Sequence, residues 1–334
     1  MARSTQVQLV SRPQGWPTAD DVRTVHVDLP DLAEGEVRVE NEFVSVDPYM
    51  RGRMSDARSY VAPYELGETM TGAAVGRVVA SRSDAVSEGD LVIHEMGWRD
   101  VAQGDASRFR VVQPIDGVPS SAYLGALGMT GFTAYAGLLH VARMQEGDTV
   151  FVSGAAGAVG SMVGQIASLK GAGRVVGSAG SDEKVAALTE RYRYDAGFSY
   201  RSGDVTEMLR EAAPDGIDVY FDNVGGDHLE AALDSFNDGG RAALCGAISQ
   251  YNSTEKASGP GNMANIVTRR LTLQGFIVGY HQEHMPAFLE EMGGWVAAGD
   301  VRLDETVVDG IENTFDAFLG LMRGENTGKM VVRV

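Results

Sequence analysis

The chain of 334 residues has one cysteine, Cys245, and only four lysines, Lys170, Lys184, Lys256 and Lys329. A single thiol excludes any disulfide within the chain and fits a reducing compartment. It also excludes a four-cysteine structural zinc site and a catalytic zinc held by cysteine pairs. No run approaches 18 consecutive apolar residues, so no membrane-spanning helix is expected. The opening stretch, MARSTQVQLVSRPQGW, lacks an apolar signal-peptide core, and a cytoplasmic protein is expected. Basic charge is scarce as well, with 28 Lys and Arg against 46 Asp and Glu, for a net charge of −18. Such a balance argues against nucleic acid or an anionic membrane as partner, and fits a soluble chain or a saline habitat. Of the six histidines, His281 and His284 form an HxxH in a polar stretch with no third ligand beside them and read as solvated loop residues. His94, next to Glu95 in an irregular Gly/Trp/Arg stretch, reads as a surface histidine. No metal site is expected.

What is present centres on Thr149 to Lys184. Thr149-Val150-Phe151-Val152 is an uncharged, β-branched and aromatic run of the kind buried on both faces of a parallel sheet. The turn after it aligns with the dinucleotide fingerprint GxGxxG as Ala155-Ala156-Gly157-Ala158-Val159-Gly160, with alanine at the first glycine position. Gly157 lets the backbone approach a pyrophosphate, and Gly160 lets the helix lie close to the strand. Val159, Met162, Val163, Ile166 and Leu169 then mark one face of a helix whose N-terminal amides point at phosphates. Arg174-Val175-Val176-Gly177 follows as the next strand. NAD sites place an acid about 20 residues past the glycines to hold the ribose 2′-hydroxyl. Here Gly177-Ser178-Ala179-Gly180 offers none, and Lys184 can pair with a 2′-phosphate, so NADP(H) is favoured. The alternative is that Lys184 is a solvated first-turn side chain beside Asp182 and Glu183.

Elsewhere the pattern divides the chain in two. Short strands at Val7-Gln8-Leu9-Val10, Val22 to Leu29, Glu36 to Val46, Thr71 to Ala80, Leu91-Val92-Ile93 and Phe109 to Val112, with helices scarce, predict an all-β barrel-like unit. Within it the stretch after Pro48 reads as a loop. Ala122 to Gly147 reads as helical. Strands at Gly197 to Tyr200, Ile217 to Asp222, Arg241 to Gly246 and Leu271 to Val278 then alternate with helices at Asp182 to Arg193, Asp204 to Ala213 and Asp227 to Phe236. Together with the first two strands they predict a six-stranded doubly wound parallel sheet. Ser253 to Asn262 reads as a loop. Two helices, Phe288 to Ala298 and Ile311 to Arg323, and a strand from Lys329 to Val334 close the chain.

Eight motifs carry a resemblance over nearly the whole length: VDPYMRGRM at 46–54, GMTGFTAY at 128–135, SGAAGAVGS at 153–161, GSDEK at 180–184, YFDNVGG at 220–226, CGAISQYN at 245–252, QGFIVGY at 274–280 and NTGKMVV at 326–332. The chain resembles the zinc-free medium-chain dehydrogenase/reductases, in the group of prostaglandin reductases, leukotriene hydroxydehydrogenases, alkenal double-bond reductases and curcumin-reductase-like proteins. The resemblance implies a GroES-like β-barrel catalytic domain (1–122, completed by 300–334), a Rossmann doubly wound sheet (123–299), bound NADPH and a homodimer. It also implies cofactor-binding roles for Gly157, Ala158, Val159, Gly160, Lys184, Tyr200, Asn223, Cys245, Gly246, Ala247, Ile248, Ser249, Tyr251, Phe276, Ile277, Val278 and Asn326, with Met129 and Thr133 at the cleft floor. Taken singly, Tyr200 could close a strand, Asn223 could serve the turn before Gly225-Gly226, and Ile277 and Val278 could be sheet core.

The expected reaction is NADPH-dependent reduction of the C=C bond of an α,β-unsaturated ketone or aldehyde. Hydride added at the β-carbon sends charge to the carbonyl oxygen, which asks the protein only for one or two hydrogen-bond donors. Tyrosine suits this, staying protonated with a pKa near ~10. Tyr49 and Tyr280 are the catalytic candidates, with a packing role at a strand end the alternative for Tyr280. Rival readings are a zinc-free quinone reductase, an NADP-dependent hydroxy-lipid dehydrogenase and, in another class, a non-catalytic NADPH-binding protein.

Overall fold

The computed structural model describes residues 2–255 and 258–334. In chain order the elements are β1 (Ala2–Leu9), β2 (Val22–Leu29), β3 (Glu36–Ser45), α1 (Tyr49–Arg53), β4 (Ala74–Ser81), β5 (Leu91–His94), β6 (Val101–Asp105) and β7 (Arg110–Val111). Next come α2 (Met129–Ala136), β8 (Thr149–Val152), α3 (Ala158–Leu169), β9 (Arg174–Ala179), α4 (Asp182–Arg191), β10 (Ala196–Ser199), α5 (Val205–Ala212) and β11 (Ile217–Asp222). The remainder are α6 (Asp227–Ser235), β12 (Phe236–Leu244), α7 (Ala264–Thr268), β13 (Thr272–Gly275), α8 (Met285–Ala298), β14 (Glu305–Asp309), α9 (Thr314–Met322) and β15 (Lys329–Arg333). They form two units: Met1–Leu124 with Glu305–Asn326 and Met330–Val334, and Gly125–Asp304 with Thr327–Lys329.

In the first unit β1 and β2 form an antiparallel ribbon, and a seven-stranded sheet runs β14-β15-β3-β4-β5-β7 with β6 also paired to β3. One core gathers Val37, Val39, Val78, Val92, Ala102 and Phe109, and a second gathers Val75, Leu91, Ile93, Val112 and Val331. Two expectations are corrected here. The stretch after Pro48 is not a loop, because Tyr49–Arg53 forms a helical turn, held by buried Met50 and by the Arg51 guanidinium, which donates to Gly15 O at 2.6 Å. Nor is His94 on the surface: it is only 3% exposed. Its Nδ1 accepts from the Met96 N–H at 3.1 Å, so Nε2–H donates to Asn41 Oδ1 at 2.8 Å. Burial, with Arg99 and Arg108 nearby, pushes its pKa down to about 3, and the ring is neutral.

In the second unit six parallel strands stand in the order β10-β9-β8-β11-β12-β13, the doubly wound sheet expected from the alternation. The uncharged run of β8 is buried because helices cover both faces. Phe151 stacks on Tyr220 at 5.1 Å and on Phe198 at 5.9 Å, and each such buried ring contributes roughly 1.5–3 kcal/mol. The strand expected from Leu271 to Val278 is shorter, since β13 stops at Gly275 and Val278–Tyr280 is a 3-10 turn. Gly137, just past α2, is needed for packing: a Cβ there would lie 2.5 Å from the Phe276 ring and 2.6 Å from that of Phe221. The described part of the Ser253 to Asn262 stretch has neither helix nor strand, and Lys256 and Ala257 lie outside the described residues.

Candidate active site

Strand order reverses between β8 and β11, the place where open α/β sheets bind ligands at the carboxyl ends of their strands. The fingerprint turn lies there. Gly154 takes φ +60° and makes the tight turn, one residue before the alanine that aligns with the first glycine. Gly157 caps α3 with extended backbone, and a Cβ on it would stand 3.3 Å from Gly154 O. Ala158, Val159 and Gly160 form the first turn of the helix, whose amides lack carbonyl partners within it. The segment Thr327–Lys329 runs beside this turn, Gly328 N–H donating to Ala156 O at 2.8 Å. Asn326, the residue before that segment, is buried.

Gly160 allows the close approach of helix and strand. A Cβ on it would meet Gly154 O at 2.4 Å and Ala155 Cα at 2.7 Å, both backbone atoms that cannot swing away. Gly160→Ala should therefore destabilise the protein by roughly 1–3 kcal/mol through overpacking, outweighing a helix-propensity gain of about 1 kcal/mol. Urea titration checks this, and an unchanged midpoint would mean that α3 can stand off the strand.

At the ends of β9 and β10 the structure brings together Lys184, Tyr200 and a residue the sequence reading passed over, Arg201. Ser181 caps α4 and accepts from Lys184 N–H at 3.4 Å, which puts Lys184 in the first turn, half-buried, while Asp182 and Glu183 are exposed. Burial and the Arg201 charge lower the Lys184 pKa, against Glu183. The Arg201 guanidinium lies 5.9 Å from the Tyr200 ring centroid, and the Tyr200 hydroxyl stands 2.8 Å from where a Cβ on Gly180 would be. Two cations converging in an otherwise acidic chain make a place for a dianion. The Ser178 hydroxyl at the end of β9 is buried without a hydrogen-bond partner.

Between β8 and β11 the organiser is Asp222, 2% exposed and not singled out from sequence. Its Oδ1 accepts from Tyr220 OH at 2.7 Å, Gly225 N–H at 2.8 Å, Val224 N–H at 2.9 Å and Ser153 OH at 3.1 Å, and its carbonyl accepts from the Cys245 and Gly246 amides. Asn223 does not serve the turn at Gly225-Gly226. Its Nδ2 donates to Ser153 O at 2.8 Å and its N–H to Ser153 Oγ at 2.9 Å, tying the two strand ends together. The loop after β12 is fastened to this frame by Ile248 N–H on Asn223 O and by Ser249 N–H and OH on Val224 O, and is braced within itself by Ala247 N–H on Tyr251 OH.

These loops wall a cavity of about 720 Å³. Cys245, Gly246, Ala247, Tyr251, Phe276, Ile277 and Tyr280 line it, together with Gln250 and Ser258-Gly259-Pro260. Burial and the Asp222 carboxylate push the Cys245 thiol up to about 12, and burial raises the Tyr251 hydroxyl. Tyr280 is 80% exposed on its 3-10 turn, so it is not the packing residue of a strand end. Met129 opens α2, 42% exposed, and Thr133 one turn on donates its hydroxyl to Met129 O at 2.7 Å. Neither Met129 nor Thr133 lines the cavity, nor do the fingerprint turn and Lys184.

Tyr49 belongs to the first unit. It is the first residue of α1 and half-buried, with its hydroxyl 3.8 Å from where a Cβ on Gly72 would be. Burial, then the charges of Asp47, Tyr64 and Glu95, raise its pKa far above the ordinary tyrosine value, against Arg53. Arg53 itself sits 4.0 Å over the Tyr64 ring and bonds Thr71 through its carbonyl at 3.2 Å and its hydroxyl at 2.9 Å.

Residues 5–112 match the family model described as the N-terminal domain of oxidoreductase, and residues 158–293 match that described as zinc-binding dehydrogenase. The chain is similar to the NADPH-dependent curcumin reductase of Escherichia coli, 41% identical over 340 residues that cover 99% of this chain and 97% of the relative. With prostaglandin reductase 1 of Bos taurus it shares 42% over 323 residues, 96% of this chain and 95% of the relative. Among solved structures, CurA of Vibrio vulnificus in complex with NADPH superposes with a TM-score of 0.93 at 42% identity, covering 100% of this chain and 99% of that one. The fold, the fingerprint turn and similarity along both units agree: the chain belongs to the medium-chain dehydrogenase/reductase family, in its zinc-free branch.

Proposed function

We propose that the protein reduces the C=C bond of α,β-unsaturated ketones and aldehydes with NADPH. The observation that carries this reading is the similarity along the whole chain to reductases of this kind; the Lys184–Arg201 cation pair past β9, where an NAD site has an acid, supports NADPH as the cofactor. The residues present fit the cofactor: the glycine cradle has no Cβ where a pyrophosphate would lie, the α3 amides face it, and the two cations suit a 2′-phosphate. When bound, the nicotinamide supplies hydride to the substrate β-carbon. The chain's own part is to hold the dinucleotide at Gly157 to Gly160, Lys184, Tyr200, Asn223, the 245–251 loop, Phe276 to Val278 and Asn326, and to give the carbonyl oxygen a hydrogen bond from Tyr49, Tyr280 or both. The α-carbon then takes its proton from solvent.

We further propose a cytoplasmic homodimer that docks along β13. This strand is the sheet edge, with Thr272, Gln274 and Gly275 exposed, and Val267 just before it is 79% exposed; an open edge of this kind pairs readily with a second copy.

The test is a panel of enones, enals, quinones and hydroxy-lipids with NADPH or NADP+, before and after exhaustive chelation. Saturated ketone or aldehyde as the product, at an undiminished rate after chelation, is the expected result. Turnover confined to quinones, or abolished with loss of a stoichiometric metal, would overturn the reading, as would NADPH binding with no turnover of any kind.

A further inference from the structure

Three of the six histidines meet on the second unit. His281 joins the two short 3-10 turns between β13 and α8, and Glu283 and His284 belong to the second of them. One ligand atom from each of these three residues lies within 4.8 Å of the others. Among the described residues this is the one place where three such groups converge. The HxxH by itself lacks a third ligand; Glu283 supplies it, with Oε1 standing 3.4 Å from His284 Nε2. His140, 144 positions upstream of His284 by their numbers, stacks on that imidazole with ring centroids 3.4 Å apart and planes 2° from parallel.

We propose that His281, Glu283 and His284 bind a borderline divalent transition-metal ion of the zinc type. Two imidazoles and a carboxylate are the donor set such ions take, leaving a fourth position to water. Bonds of about 2.0–2.2 Å to each donor require the ligand atoms to draw in to roughly 3.3 Å from one another, a closure within side-chain rotation on an exposed turn. His140 is not a fourth ligand in this arrangement, because a metal lies in the plane of each ring it binds and two parallel stacked rings cannot share one. It is a positioning residue, keeping the His284 ring in its stacked plane while the His281 and Glu283 side chains close on it. Of the acids around the cluster, Glu283 and Glu291 both act on His140; Glu291 is paired with Lys170 at 2.6 Å, which leaves Glu283 as the carboxylate available to a cation. His281 also lines the cavity beside Tyr280, so an ion held here becomes part of the cavity wall.

The test is direct binding, independent of any catalytic reading. Untagged, metal-free full-length protein is titrated with Zn2+ against a chromophoric chelator, and in parallel with Co2+ for the visible bands of a low-coordinate site. One ion per chain at micromolar affinity is expected, lost by about a hundredfold or more in His281→Ala/His284→Ala and weakened about tenfold in His140→Ala. His26→Ala, which alters an exposed histidine of the other unit, should bind as the wild type does. Glu283→Gln supplies a second variant should the double one misfold. Absence of binding below about 1 mM, or equal affinity in the folded His281/His284 variant, would overturn the assignment.

Discussion

Tyr49→Phe is expected to lower kcat on a small enone by about a hundred- to a thousand-fold while leaving NADPH affinity unchanged, the loss typical of a main oxyanion donor, about 2.7–4 kcal/mol. Two features make this tyrosine a dependable donor. The hydroxyl keeps its proton at any working pH, because burial and the acids at Asp47 and Glu95 oppose ionisation. The helical turn that carries it is anchored on both sides of Tyr49, by buried Asp47 before and by buried Met50 and Arg51 after. Since the pKa is raised, activity should show no loss from tyrosine ionisation as pH rises through about 10, where an ordinary tyrosine would begin to fail. Steady-state kinetics with NADPH and its 4-deuterated form decide the matter, the isotope effect showing that hydride transfer limits the rate. Wild-type kcat in Tyr49→Phe, Tyr280→Phe and the double variant would leave the cofactor ribose as the donor. A smaller loss, shared with Tyr280→Phe, would divide the task between the two.

Lys184→Ala should weaken NADPH binding by about ten- to a hundred-fold, the loss of a charge-assisted contact of roughly 1.5–3 kcal/mol, and leave NADH nearly unaffected. Burial and the repulsion from Arg201 depress the Lys184 pKa, and a 2′-phosphate between the two cations would offset that repulsion. Arg201→Ala should then show the same selectivity, and the double variant should cost less than the sum, because the surviving cation no longer faces a like charge. Equilibrium titration with both cofactors reads this out. Parallel losses for NADPH and NADH would place Lys184 in the folding of α4 instead of at a 2′-phosphate.

The parts of this site that were legible in the sequence are those whose physics is local. A buried strand, a glycine turn and an amphipathic helix announce themselves within 30 residues, and so did Gly157, Gly160 and the absence of an acid after β9. What was missed depends on partners far along the chain. His94 is buried because β5 pairs with β4 and its ring finds Asn41, 53 positions away. Asp222 looks like any strand-end acid until Ser153 and Gly225 converge on it. The strands β6 and β14 escaped because Val101–Asp105 and Glu305–Asp309 are five-residue segments whose pairing, not their pattern, makes them strands. Arg201 could have been found, since it follows Tyr200 directly and cations are scarce in the chain.

Cys245 carries a consequence for the protein's own survival. Enones and enals are soft electrophiles that alkylate thiolates, so an enzyme that gathers them risks modification at each turnover. This chain presents a single sulfhydryl, set in the cavity wall and held at a pKa of about 12. At neutral pH the sulfur therefore stays in its unreactive thiol form. The Asp222 carboxylate that fastens the strand ends also disfavours a second negative charge at Cys245. The same acid that shapes the crevice thereby keeps its one nucleophilic sulfur inert towards the cargo it receives.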